Sequence, residues 1–440
     1  LSLLDSVRAG PVTYAAAEIP DDPQERSDHL KAAGYFLDSS MVGICRLGPE
    51  LSLSNAFNHP KIDQWLLQGE SNKIHLRLNV SAIYKRMEHS TTSGSDEINS
   101  HTHAIVFLQE FPRDPTQNEP GADWITGMQQ QRASLRAGET ASVMALYLRT
   151  LGFEARAHSA TSSDIDLNKA AVAAGLGIID SDSKVSNPFV GRRFGLSVVT
   201  TNLELKPDMP LAQASGLSRF KDKGMAWMLG LGAHKNIRNF QPYGKRSFTD
   251  GVFPMEKVKR VDSPTSLIDE DKIPRIPKRT EFFVRIAFGD LGEAAQKASV
   301  DGFSVNKHPL GRALSATLNC YSILQRAKEK KIRVAGDEDP KRNADIIKAT
   351  LHFLGADMVG ISRAPDWVWY SHTADGQVLK PAHKYAITTL VDQGHESMDG
   401  ASGDDWISAA LSMRSYMRAS LVNAVVAQHL RNLGVVQNPH

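Results

Sequence analysis

Two matching stretches carry the residues best suited to chemistry. Residues 405–421 read DWISAALSMRSYMRASL and lay without gaps on 123–139, DWITGMQQQRASLRAGE, pairing Trp406 with Trp124, Arg414 with Arg132 and Arg418 with Arg136. A change of chemical kind lies in the middle, where Tyr416 faces Ser134. A phenol titrates near ~10 and can hand over a proton in a transition state, whereas an aliphatic hydroxyl is too weak an acid to do so without a dedicated base. On its own, an aromatic residue on an amphipathic helix is usually a packing residue. A phenol kept in only one of two matching segments weakens that reading and leaves packing and catalysis both open for Tyr416.

Other residues could bind rather than react. Trp367, Trp369 and Tyr370 follow the apolar run Met-Val-Gly-Ile at 358–361, and ligands of open α/β sheets lie beyond the carboxyl ends of strands, so these aromatics are candidates to border a cofactor, with plain packing as the alternative. Phe282 and Phe283 could face a ring-shaped substrate, although their helical spacing favours burial in a core. His101 and His383 begin equivalent strands without a partner cluster and read as structural histidines. The turn AGLGIID at 174–180 lacks the third glycine and the acidic residue of a dinucleotide fingerprint. The only cysteines, Cys45 after a strand and Cys320 in an apolar helical run, read as buried small apolar residues and cannot form a disulfide framework or a cysteine-rich metal site.

These candidates sit in a chain that repeats itself. DPQERSDHLKAAGYFLDSSMVGICR (22–46) aligns with DPKRNADIIKATLHFLGADMVGISR (339–363) at 12 identical positions of 25, each reading as an amphipathic helix followed by a short apolar strand. HTHAIVFL (101–108) then matches HKYAITTL (383–390), and LRTLGFEARAH (148–158) matches LRNLGVVQNPH (430–440). The offset falls from 317 to 282, which places 35 extra residues between Leu47 and Ser100 and predicts a surface loop there. The first copy continues through a predicted helix, a glycine-rich turn and a strand to Leu205, opposite which the second copy has no counterpart. Between the copies, two apolar helical runs are expected near 282–299 and 309–327.

The composition is that of an ordinary globular protein, with 41% hydrophobic and 23% charged residues in 440. A net charge of +2 gives no sign of a nucleic-acid or membrane partner, and no apolar run approaches a membrane span. The expected compartment is the cytoplasm. The chain begins on Leu1 and stops at His440 just after a helical pattern, so both ends read as cuts.

The paired MVGI strands, the helix bearing RSYMRASL and the segment NPFVGRRFGLSVVTTNLEL together resemble the cobalamin-dependent reductive dehalogenases of the cytoplasmic, catabolic type, over residues 20–205 and 337–440. The resemblance implies an α/β (α+β) fold with duplicated nitroreductase-like cobalamin-binding modules. Residues 1–215 would be a degenerate copy, 216–336 a connector with a small helical unit, and 337–440 the operative module, truncated at its C-terminal end. It further implies reductive removal of halide from an organohalide, a halogenated aromatic or phenol, with cobalamin as cofactor and Tyr416 in the place of the family's proton donor. Two 4Fe-4S clusters and the family's lysine and arginine near the halide are expected from a downstream segment, and electrons from a reductase domain or redox protein. The sequence NKHPLG at 306–311 resembles a cobalt-ligating box only in part, with asparagine in place of aspartate, and is better read as a turn entering a helix. The alternatives are a queuosine-type epoxide reductase, for which a basic surface would be expected, and a non-catalytic cobalamin-binding protein.

Overall fold

In chain order the helices are Ser2–Asp5 (α1), Pro23–Phe36 (α2), Ala122–Ile125 (α3), Gln129–Thr150 (α4), Leu167–Ala173 (α5), Phe282–Ala287 (α6), Glu293–Val300 (α7), Pro309–Tyr321 (α8), Pro340–Leu354 (α9) and Trp406–Asn432 (α10). The strands are Met41–Arg46 (β1), Ser52–Asn58 (β2), His103–Glu110 (β3), Ala155–His158 (β4), Ser162–Ile165 (β5), Ile178–Ile179 (β6), Val185–Ser186 (β7), Phe194–Thr201 (β8), Met358–Arg363 (β9) and Tyr385–Leu390 (β10). This computed structural model describes residues 1–58, 98–211, 261, 265–300, 305, 307–321, 324, 339–394 and 406–434.

The two matching helices start and stop alike. Asp22 accepts from the Gln24 amide and Asp339 from the Lys341 amide, both at 2.9 Å, and a proline opens each helix, where its missing N–H is not needed. Each ends at a left-handed residue, Asp38 with φ 71° after α2 and Gly355 with φ 114° after α9. The strands that follow also match. β1 pairs antiparallel with β3 from Met41↔Leu108 to Arg46↔His103, and β9 with β10 from Met358↔Leu390 to Arg363↔Tyr385, which is the same register once the repeat offsets are applied.

Around these shared pieces the halves differ. The first half carries a four-stranded antiparallel sheet in the order β1-β3-β8-β4. Ile44, Ile105, Phe107 and Val199 pack on one face with Ala141, Met144 and Leu148 of α4, while Cys45, Ala104, Val106 and Val198 pack on the other with Ala170 and Ala171 of α5. The larger cluster continues through Leu310, Ala313, Leu314 and Tyr321 of α8 to Ala410, Met417 and Leu421 of α10, so one core joins residues from both halves. The sheet β9-β10 buries only one face, through Val359 and Ile387 against Leu351 of α9 and Val422, Val426 and Leu430 of α10.

Several expectations need correction. The insert is not wholly loop: Ser52–Asn58 is a strand paired with β5, although 59–97 lies outside the described residues. The run near 282–299 is two helices, because Gly289 and Gly292 take φ of 82° and 87° between them. The DW helix is continuous only in the second half; Gly127, with φ 84°, separates α3 from α4, whereas its repeat partner Ala409 lies inside α10. Cys45 lies within β1 rather than after it. The run expected near 309–327 is a helix from Pro309 to Tyr321 among the described residues, and Asn306 lies outside them.

Candidate active site

Tyr416 lies near the middle of α10, on a helix held from several sides. Arg414 Nη1 donates to the Phe36 carbonyl at 2.5 Å and its guanidinium lies 4.9 Å from the Phe36 ring centre. Arg418 donates to Asp38, Ser415 Oγ to the carbonyl of Asp392 at 3.3 Å, and Thr389 Oγ1 to Asn423 Oδ1 at 3.0 Å. Leu411, Met417 and Leu421 turn into the core, and Tyr416 is left 59% exposed.

Ser134, at the matching place on α4, is 9% exposed. Strand β8 closes over it: a Cβ built on Gly195 would stand 2.6 Å from the Ser134 nitrogen, so helix and strand backbones touch where a phenol would need space. The contrast extends to the sheets. A Cβ on Gly43 of β1 would meet the Ala174 carbonyl at 2.5 Å, whereas one on Gly360, its partner in β9, meets nothing within 4 Å. On the face of Gly360, Met358 and Leu390 are exposed. Among the described residues, the Ser134 position is covered and the Tyr416 position is open.

The other candidates do not gather around Tyr416. Trp367 and Trp369 follow the carboxyl end of β9, beside His383, whose ring centre is 5.8 Å from that of Trp369. Arg275 ties this turn down by donating to the carbonyls of Trp369, Tyr370 and Leu379, and Lys278 stands 5.6 Å from the Tyr370 ring centre. Ser415 touches the chain just after the opposite end of β10. A six-residue ladder, roughly 17 Å at ~3.3 Å per residue, therefore separates the aromatic turn from the neighbourhood of Tyr416. Phe282 and Phe283 pack edge to face at 5.3 Å and are more than half exposed, so burial in a core is not their role.

Two observations bear on the groups implied by the resemblance. Trp367 Nε1 and His383 Nε2 are buried without a hydrogen-bond partner among the described residues. Such nitrogens suit a large ligand rich in amide carbonyls, which is the chemistry of a corrin's side arms. The iron–sulfur clusters were expected from a downstream segment, and the two cysteines of this chain are no ligands for them: both are buried, and the Cys45 thiol is pushed up to about 12, first by burial and then by Glu50 and Asp208. Among the described residues, no group of three or more His, Cys, Asp or Glu could hold a metal ion, and no helix is long and apolar enough to cross a membrane.

Sequence reasoning missed a buried polar network under α10. Asp38 accepts from Arg136 at 3.0 Å and from Arg418; Arg136 also pairs with Glu139, and Glu139 accepts from the Tyr321 hydroxyl at 2.8 Å. Burial, with Glu139 adding to it, pushes the Tyr321 phenol well above its ordinary range and keeps it a donor. The paired arginines were visible in the repeat; their shared carboxylate, nearly a hundred residues upstream of Arg136, was not.

No family model and no curated relative matches this chain. Among solved structures it is similar to the catabolic reductive dehalogenase NpRdhA, N-terminally tagged, and to the same protein in complex with 3-bromo-4-hydroxybenzoic acid. Each matches with a TM-score of 0.75 and 37% identity, over 98% of this chain and 56% of that one. The chain thus spans about half the length of these relatives. An epoxyqueuosine reductase matches with a TM-score of 0.26 and 14% identity, over 75% of this chain and 90% of that one.

Proposed function

From the premise that this chain is a relative of the catabolic reductive dehalogenases, we propose that it forms part of a cobalamin-dependent enzyme that replaces the halogen of a halogenated phenol by hydrogen, with Tyr416 as the proton donor. The observation that carries the role of Tyr416 is the contrast between the two equivalent positions: the phenol stands exposed on α10, and the serine lies under a strand.

The division of labour follows. Residues 1–215 act as a degenerate module kept as scaffold, 216–336 as a connector whose helix α8 packs on α4 and α10, and 337–440 as the half that faces cofactor and substrate. The matched register of β1-β3 and β9-β10 supports the duplication. Cobalamin supplies, when bound, the low-potential electrons and the metal centre that engages the halogen. Trp367 and His383 would donate to its amide arms, with Trp369 and Tyr370 walling the same turn. Tyr416 delivers the proton to the ring carbon that loses halide, its backbone fixed by the arginines on either side of it. Phe282 and Phe283, an exposed pair of rings, are candidates to meet an aromatic substrate. The bromophenol bound by the similar structure makes that acid a suitable test substrate.

The test compares wild type, Tyr416→Phe and Ser134→Ala in steady-state debromination of 3-bromo-4-hydroxybenzoic acid, with the corrin content of each measured. Tyr416→Phe keeps the ring and removes the acid, so turnover should fall by ~10²- to 10⁴-fold at unchanged corrin content, while Ser134→Ala leaves it unchanged. Full activity in the phenylalanine variant would remove Tyr416 from the chemistry. One corrin per chain is expected, and two would contradict the scaffold role of the first half.

A further inference from the structure

Three guanidinium groups converge on one carboxylate at the seam between the two halves. Asp38 stands in the left-handed conformation just after α2 and receives Arg136 of α4 at 3.0 Å and Arg418 of α10 on the same oxygen, with Arg414 of α10 3.9 Å from the other. All three arginine side chains are largely buried, and Arg136 is further paired with Glu139. Three largely buried guanidiniums therefore meet a carboxylate that keeps a third of its surface in water, and a buried cation without a partner is costly while a matched one fixes geometry.

The arrangement is a two-fold motif with one half altered. Arg414 lies over Phe36, and its repeat partner Arg132 lies 5.8 Å from the ring centre of Phe353, the repeat partner of Phe36. Where the first half has Asp38, the second has Gly355, and a Cβ there would stand 3.7 Å from Arg132. The carboxylate thus exists only on the side where it grips α10. Arg414 and Arg418 are one turn apart, and Tyr416 is two residues from each, so the phenol leaves the helix about 200° around from the arginines. Turning the helix by roughly 10° would move a side-chain tip 5–6 Å from the axis by about 1 Å, a displacement that can cost ~10²-fold in rate.

We propose that Asp38 is a positioning residue for the reaction: by holding Arg414 and Arg418 it fixes the rotation of α10, so that the scaffold half of the chain aims the phenol of Tyr416. The proposal rests on the functional reading above, and its test separates the two. Asp38→Asn keeps the size and the tolerance of left-handed φ while removing the charge. Arg418→Gln removes one guanidinium, leaves Arg136 and Arg414 on the carboxylate, and serves if the asparagine variant does not fold. Each is measured in the cobalamin-loaded protein with the bromophenol, alone and combined with Tyr416→Phe, and each also with 3-fluorotyrosine at position 416 observed by fluorine NMR.

The expected result for Asp38→Asn is a kcat lower by ~10- to 100-fold with KM unchanged, a displaced or broadened fluorine resonance, and a double variant no slower than Tyr416→Phe alone. Arg418→Gln should show the same pattern more weakly. Wild-type kcat together with an unmoved resonance overturns the proposal. So does a deficit that multiplies with that of Tyr416→Phe, because a merely structural loss acts whether or not the phenol is there. If wild type does not dehalogenate, the functional reading fails and the fluorine resonance alone decides on Asp38.

Discussion

Acidification should destabilise the first half through two histidines that fold neutral. His158 is fully buried; its Nδ1 accepts from the Asp164 amide at 3.2 Å and its Nε2 shares the Thr200 hydroxyl, at 2.9 Å, with His101 Nδ1 at 2.7 Å. A proton added at Nδ1 would face an N–H. The nearby Asp164 carboxylate, 3.6 Å away, already holds Arg8 and Arg156, each at 3.1 Å. Burial, the largest cause, lowers His158 to about 3 and His101 to about 4, against ~6.5 in an unfolded chain. Folded values below the unfolded one give stability that is present above pH ~6.5 and is lost as pH falls toward the folded values. At pH 5 the unfolded state binds a proton that the folded state refuses, worth about 2 kcal/mol for His158 by linkage. His101, only partly covered, adds somewhat less, for a total of about 3–4 kcal/mol against the ~5–15 that hold a domain together. Urea titrations between pH 7.5 and 4.5, followed by tryptophan fluorescence and by exchange of the β8 amides, should show this loss. His158→Gln should remove about half of it. A midpoint that stays flat from pH 7 to 5, or a loss that His158→Gln leaves intact, would refute the assignment of the acid sensitivity to this pair.

Ser134→Tyr should destabilise the protein by roughly 1–3 kcal/mol or more by forcing β8 off α4, and should confer no activity; thermal unfolding checks this, with Ser134→Ala as the near-neutral control. Tyr321→Phe leaves Glu139 with Arg136 but without its hydroxyl donor and should cost about 1–3 kcal/mol, read from the shift of the urea midpoint. Gly43→Ala should destabilise, since its Cβ would meet the Ala174 carbonyl at 2.5 Å, whereas Gly360→Ala should not; the difference between the two melting temperatures is the readout. Residues 337–440 expressed alone lose the α4 and α8 surfaces that pack with Ala410, Met417 and Leu421. They should show no cooperative melting transition and rapid amide exchange along α10.

Much was legible from the chain alone because it says the same thing twice. The repeat marked α2 and α9 and the strands after them, since local spacing and alternation decide such elements before any long-range contact forms; the register of β3 on β1 and β10 on β9 came from the fold, and the two offsets say only that both pairs share it. The repeat also set Tyr416 apart from Ser134 by chemical kind. What the repeat could not carry were the consequences of packing between distant segments. That Ser134 is closed off depends on Gly195 of β8 reaching across to α4, and that Phe282 and Phe283 stay in solvent depends on which helix faces the core, neither of which spacing specifies. The break at Gly289–Gly292 was readable but overridden by the apolar pattern around it. The meeting of Arg136, Arg414 and Arg418 at Asp38 spans 380 residues of chain. Only the tertiary fold makes it, because the core on both sides brings the guanidiniums to the carboxylate and shields them from the water that would otherwise solvate each apart.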